Sequence, residues 1–177
     1  MDQFSNLEVE IGSLPKTEEL VLQPIEPSYK KVIIWGWLFG WGIVFLAVTS
    51  ALFLFPTLQT FLCIMSIVCP LIFFSFLNLW LSLKSLKIKA YAVREKDIVY
   101  RRGWIVQRIS ICPFNRIQHC SVSANPFERK LGLATLSIFT AGTQGSDMKI
   151  PGLHKDTAAA LRDFIMKKTS QDEGSTE

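Results

Sequence analysis

The sequence predicts an α+β membrane protein: a two-helix transmembrane hairpin followed by a polar antiparallel β domain that one C-terminal helix closes. Three observations carry this. Between Lys31 and Lys84 fifty-two residues contain no Asp, Glu, Lys, Arg or His. Residues 86–153 divide into short runs of branched and aromatic side chains separated by turn residues. The stretch from Lys155 to Lys168 then places apolar residues at helical spacing.

A spanning helix takes about 20 apolar residues to cross roughly 30 Å of hydrocarbon, so the uncharged run holds two passes. Pro56 marks the break, giving helices over 32–55 and 61–83 with Pro56-Thr57-Leu58-Gln59-Thr60 as the turn. A cleaved signal sequence does not fit, because the apolar core is too long and starts too late. A soluble helical hairpin does not fit either, because the remaining residues cannot cover two helices that are apolar all round.

The flanks set the orientation. Lys30 and Lys31 precede the first span, Lys84, Lys87 and Lys89 follow the second, and the turn is uncharged, so both termini are expected in the cytoplasm. Trp35, Trp37 and Trp41 open the first span and Trp80 closes the second. These indoles and Lys30, Lys31, Lys84 and Lys87 are the expected interface anchors. Gly36, Gly40, Ala47 and Ser50 form a small-residue seam on the first span, while Ser75, Asn78 and Ser82 share a face of the second. Asn78 is placed to donate across a helix interface for about 1 kcal/mol; packing inside the hairpin and contact with another chain both fit the seam. Pro70 is expected to kink the second helix. No ionisable group lies within the spans, which argues against a transport pathway.

Charge divides by region. Residues 1–31 carry net −3 and residues 84–177 net +7. A basic domain beside a membrane fits anionic lipid, at about 1 kcal/mol per Lys or Arg near the surface. Nucleic-acid binding is not expected, since no recognition motif accompanies the charge. Residues 1–31, with Pro15, Pro24 and Pro27, read as a mobile or loosely docked arm, and residues 170–177 as a disordered tail.

Residues 84–169 form the expected polar domain. Strands are expected over 86–94, 98–102, 105–112, 117–123, 133–140 and 148–150, with turns at Glu95-Lys96-Asp97, Gly103, Pro113-Phe114-Asn115 and Asn125-Pro126 and a hairpin between Gly142 and Gly145. In the helix over 155–168, Ala158, Leu161, Phe164 and Ile165 form the inward face, and Lys167 and Lys168 suit its C-terminal dipole.

The ordered blocks Tyr91-x-Val93, Arg102-Gly103, Pro113-x-x-Arg116-Ile117-Gln118, Pro126-x-x-Arg129-x-x-Gly132-Leu133-Ala134-x-Leu136, Thr140-Ala141-Gly142 and Ile150-Pro151-Gly152-Leu153 resemble the bacterial PH-like membrane proteins of the YdbS type. The resemblance covers roughly residues 30–168. It implies a pleckstrin-homology-like sandwich or partly open barrel of about seven strands, closed by one helix, in the bacterial cytoplasmic (inner) membrane. It also implies a family of largely unknown function whose members often act beside a larger relative with similar domains. Eukaryotic PH domains grip phosphoinositides with a basic first hairpin, whereas the charges of Arg94-Glu95-Lys96-Asp97 cancel.

Catalysis is not expected. There is no phosphate loop, Ser/His/Asp order or carboxylate pair, and His154 reads as a surface or capping residue. Cys112, His119 and Cys120 lack a fourth metal ligand, a disulfide between Cys112 and Cys120 does not suit a reducing compartment, and Cys63 and Cys69 read as apolar residues of the second span. No cofactor is implied. The candidate contact residues are Arg101, Arg102, Arg108, Arg116, Arg129 and Lys130, read as an anion-binding rim; internal salt bridges fit Arg116 and Arg129 equally well. Two functions remain. One is an interaction module that assembles as a homo- or hetero-oligomer with a related PH-like membrane protein, and the other a sensor of anionic lipid headgroups supporting envelope integrity.

Overall fold

The computed structural model describes residues 22–55, 60–140 and 148–173. Helix α1 spans Tyr29–Leu54 and α2 spans Phe61–Leu86, each about 39 Å long at 1.5 Å per residue. Both are long and apolar enough to cross a membrane, and only 6% of each apolar window is buried, so neither is the core helix of a soluble protein. Each extends three residues beyond the uncharged run. Lys30, Lys31 and Lys84 are good helix formers whose stems can lie along apolar surface while the ammonium reaches water.

The hairpin closes near its lysine-bearing end. Trp37 Nε1 donates to the Ser75 carbonyl at 2.9 Å, Ser75 is buried, and the rings of Trp37 and Phe76 lie 6.0 Å apart. The small-residue seam does not mate the two helices. A Cβ added to Gly36 or Gly40 would meet nothing within 4 Å, and Ala47, Ser50 and Asn78 are exposed. Ser50 instead donates to the Ala47 carbonyl within its own helix. The indole of Trp37 takes the place of close backbone approach, leaving Gly36, Gly40 and Asn78 along an open groove of about 390 Å³. Pro70 lies inside an unbroken α2.

The polar domain holds two antiparallel sheets that do not close into a barrel. The first, in order, pairs β1 (Gln23–Pro24), β2 (Ala90–Val93), β3 (Asp97–Arg102) and β4 (Arg108–Pro113). A 3₁₀ turn over Phe114–Arg116 leads to the second, made of β5 (Ile117–Ser123), β6 (Leu133–Thr140) and β7 (Met148–His154). A short helix α3 (Pro126–Lys130) joins β5 to β6, and α4 (Lys155–Glu173) packs on the second sheet and the 3₁₀ turn. Tyr91, Ile98 and Tyr100 face Leu136, Ile138 and Ile150 across the core, with Phe114, Ala158 and Ile165 closing it.

The expected α+β architecture of hairpin, seven strands and C-terminal helix is therefore present, with several local corrections. The seventh strand comes from the arm. Gln23 pairs with Tyr91 and Pro24 with Ala90, Ile25 enters the core, and the Glu26 N–H donates to the Gly152 carbonyl at 3.1 Å. That docking satisfies the edge of β2, which would otherwise be open. The first predicted strand shortens because α2 runs to Leu86, and Ile105 to Gln107 belong to a loop rather than to β4. Strand β7 continues through Pro151 to His154, tolerated because β7 is an edge and Pro lacks only an N–H. Helix α4 passes the predicted end at Lys168. Thr169 is buried there, and its hydroxyl lies 3.0 Å from the Ile165 carbonyl and 3.3 Å from that of Phe114. Phe164 flanks the inward face of α4, with its ring 6.1 Å from that of Phe114 and partly exposed. Residues 1–21 of the arm, the turn residues 56–59, the hairpin between Gly142 and Gly145 and residues 174–177 of the tail lie outside the described residues.

Candidate functional site

Two parts of the polar domain rest on the apolar helices, and local chemistry fixes each. Asn125 and Glu128 form a capping box at the start of α3. The Asn125 side chain accepts from the Glu128 N–H at 2.8 Å, while Glu128 Oε2 accepts from the Asn125 N–H at 3.0 Å. The Thr135 hydroxyl donates to the other oxygen of Glu128 at 2.9 Å, so this buried carboxylate ties α3 to β6. Phe127, held by that box, meets Trp35 and Phe39 edge-on at ring distances of 6.3 and 6.2 Å. Phe39 lies ten residues into α1, about 15 Å along its axis, so α3 reaches the level of the apolar helices.

The second contact is the loop between β3 and β4. Gly103 turns with φ +91°, and a side chain there would strike the Val106 carbonyl. Trp104 stands edge-on to Trp80 at 5.4 Å, and Lys84 Nζ sits 5.5 Å from the Trp80 ring centroid. Beyond it Ile105 and Val106 are 76% and 64% exposed, more than expected of apolar residues in a turn facing water alone. Arg102 and Arg108 are opposed at the base of this hairpin, a like-charge pair that is unfavourable without an anion. Among the described residues neither makes an ion pair. Nearby, the Lys89 ammonium pKa is lowered, first by burial and then by the Arg102 guanidinium.

The six residues of the predicted rim do not form one cluster. Arg102 and Arg108 come together, and Arg129 and Lys130 lie on α3 beside Phe127. Arg116 sits past Pro113, at the far end of the β3–β4 hairpin, about 17 Å or more from Arg108. Arg101 lies on the outer face of the first sheet, half-buried, its Nε covered and without a hydrogen-bond partner among the described residues. Strand register explains the division, since neighbours in sequence alternate faces and the hairpin separates its two ends. The first turn, expected to cancel its charges, does pair them: the Arg94 N–H donates to the Asp97 carbonyl at 2.9 Å and the side chains lie 3.5 Å apart.

The residues expected as interface anchors gather at one end of the hairpin. Lys30, Trp80, Lys84 and Lys87 line a cleft of about 430 Å³ between the arm and α2, Trp35 packs on Phe127, and Trp37 bonds α2. Lys31 is exposed beside them.

The outer face of the first sheet has its own character. Ala90, Arg101 and Ile109 lie in one cross-strand row and Ala92, Val99 and Ile111 in the next. Ile109 and Ile111 are about half exposed, and β4 pairs with no strand on its outer side among the described residues.

Among the described residues no group of three His, Cys, Asp or Glu is placed to hold a metal. His119 stacks on Phe139 at 4.2 Å, and His154 faces Asp156 at 3.4 Å. Cys112 and Cys120 are not joined in a disulfide; burial, and then Cys112, pushes the Cys120 thiol up to about 11. Its thiolate fraction at pH 8 is then about 0.1%. Alkylation of the native protein at pH 8 should therefore label Cys120 on the order of 100-fold more slowly than in urea, read by peptide mass spectrometry. Comparable rates in both states would show the thiol open to solvent.

No local sequence pattern marks Phe127 or Trp104 as a contact with the apolar helices. Asn125-x-x-Glu128 is a readable capping signature that announces α3, whereas the branched residues Ile105 and Val106 disguise the loop as strand.

Residues 33–169 match the Bacterial PH domain family along their whole length. The chain belongs to the bacterial PH domain family. It is similar to transmembrane protein YdbS of Bacillus subtilis (strain 168), at 38% identity over 81 residues. The match covers 46% of this chain and 49% of the relative, so the aligned part spans about half of each. No solved structure matches the chain. With a transmembrane relative and two long apolar helices, this bacterial PH domain is part of a membrane protein.

Proposed function

We propose that the protein is a non-catalytic, membrane-anchored PH-like interaction module that docks a related PH-like membrane protein through the β4 side of its first sheet. The hairpin holds the module at the cytoplasmic face of a bacterial inner membrane, with both termini inside. The observation that carries this reading is the β4 edge, unpaired among the described residues, with Ile109 and Ile111 about half exposed along it. Soluble domains cover or charge such an edge, and one with exposed apolar side chains invites strand addition. Native mass spectrometry of the full chain, extracted from its own membrane in mild detergent, should show a fixed-ratio complex with a second membrane protein. Ile109→Glu with Ile111→Glu should abolish it while leaving the fold intact, because both side chains are exposed. Extraction of the wild-type chain alone would sink this reading.

A second reading is supported by the opposed Arg102 and Arg108 beneath the apolar loop tip, an arrangement suited to anionic headgroups. In nanodiscs rich in anionic lipid, amides of residues 103–107 should exchange hydrogen more slowly than in zwitterionic discs. Arg102→Gln with Arg108→Gln should remove that difference, and equal exchange in both discs would count against lipid contact.

A further inference from the structure

We infer that the cleft between the arm and the end of α2 holds one phospholipid with an anionic headgroup, drawn from the surrounding bilayer. This rests on the membrane placement of the hairpin and is separate from both the β4 face and the Arg102–Arg108 pair. The cleft measures about 430 Å³, within the ~300–1,000 Å³ typical of small-molecule sites. Its walls combine two opposite chemistries. Pro24, Pro27, Trp80 and Leu83 supply apolar surface, and Lys30, Lys84 and Lys87 supply three ammonium groups.

The placement follows from the helix period and from the docked arm. Trp80, Leu83 and Lys84 in the last two turns of α2 and Lys87 at its C-cap recur at three- and four-residue spacing, so they share one face. Lys30 comes from the first turn of α1. The opposite wall is held in place, since Gln23 and Pro24 pair with β2 and the Glu26 N–H is bonded to Gly152. Glu26 itself does not line the cleft, and among the described residues none of the three lysines has a carboxylate partner. Three like charges around an apolar hollow repel one another unless an anion joins them. A phosphodiester attached to acyl chains satisfies both surfaces at once, where a free phosphate would meet only the lysines and a neutral lipid only the apolar wall. Basic pockets beside membrane helices are suited to anionic headgroups for this reason. Trp80 also carries the Trp104 contact, so an occupied cleft would brace the β3–β4 loop.

The test is native mass spectrometry of the full chain in mild detergent, with added phosphatidylglycerol or phosphatidylcholine of the same acyl chains. One phosphatidylglycerol should be retained per chain, at least tenfold in preference to phosphatidylcholine. Lys30→Gln, Lys84→Gln and Lys87→Gln together should remove the preference, and these exposed positions do not threaten folding. Leu83→Trp keeps the three charges but fills the hollow, and should lose the lipid as well. Arg102→Gln with Arg108→Gln should retain it, and added glycerol phosphate should fail to displace it. Equal retention of the two lipids, or retention unchanged in the triple variant, would overturn the assignment. So would loss confined to the arginine variant, or displacement by glycerol phosphate; capture of an acidic protein at the lysines would point to a different occupant.

Discussion

Replacing Gly152 with alanine is expected to destabilise the polar domain by about 2–5 kcal/mol and to free the arm from β2. Gly152 has φ +68°, where an L side chain costs about 1–2 kcal/mol. The added Cβ would stand 2.5 Å from Ile25 Cγ2 and 2.7 Å from Tyr29 Cγ, a clash of the kind that costs a further 1–3 kcal/mol or so in packed cores. Both struck side chains belong to the segment that leads into the membrane. Ile25 is the arm's contribution to the core, and Tyr29 is the first residue of α1. Relief can come only by pushing that segment away, which breaks the bond from Glu26 to the Gly152 carbonyl and the pairing of Gln23 and Pro24. Thermal unfolding in detergent and hydrogen exchange over residues 23–26 measure the two consequences. Adding Ile25→Ala to Gly152→Ala should recover part of the exchange protection by making room for the Cβ, with the backbone strain remaining. An unchanged melting temperature together with unchanged exchange would mean that the arm does not pack on β7.

That site also illustrates what a sequence can and cannot disclose. Ile150-Pro151-Gly152-Leu153 announces a turn-forming glycine, but nothing local names Ile25 or Tyr29 as what presses against it. The same holds for β1. A two-residue strand pairing with Tyr91, far along the chain, has no periodicity to betray it. The membrane hairpin is legible because fifty-two uncharged residues admit few alternatives, and the central strands because turn residues bracket them. The six basic residues of the expected rim are divided for a geometric reason. Residues close in sequence, such as Arg101 and Arg102, are sent to opposite faces by the strand, while Arg102 and Arg108 are joined by a register that only the folded hairpin fixes. The apolar tip Trp104-Ile105-Val106 has strand-like composition, and its place beside Trp80 depends on how the domain sits on the helices. Sequence thus locates the membrane and the sheet readily. The contacts that join them are non-local and must be seen.

Glu128→Ala should have the second large effect, about 3–5 kcal/mol on the polar domain, with loosening of its contact to α1. The carboxylate is buried and accepts from the Asn125 N–H and the Thr135 hydroxyl. Truncation leaves both donors without their acceptor, at about 1–3 kcal/mol each, and removes half of a capping box worth about 1 kcal/mol. Helix α3 has five residues, too few to persist without its cap, so Phe127 would lose its fixed approach to Trp35 and Phe39. Glu128→Gln keeps the shape and one acceptor oxygen, and the Thr135 hydroxyl can rotate to accept from the new amide, so its loss should be less than half as large. Phe127→Ala separates the two roles. It spares the capping box, and should loosen the hairpin contact with a smaller loss of domain stability than Glu128→Ala. Thermal melts report the domain, and hydrogen exchange of α3 with proteolysis between α2 and β2 reports the docking. Equal losses in the Gln and Ala variants would assign the effect to the charge of Glu128 rather than to its bonding geometry. No loss in either would mean that the capping box does not hold α3 against the membrane helix.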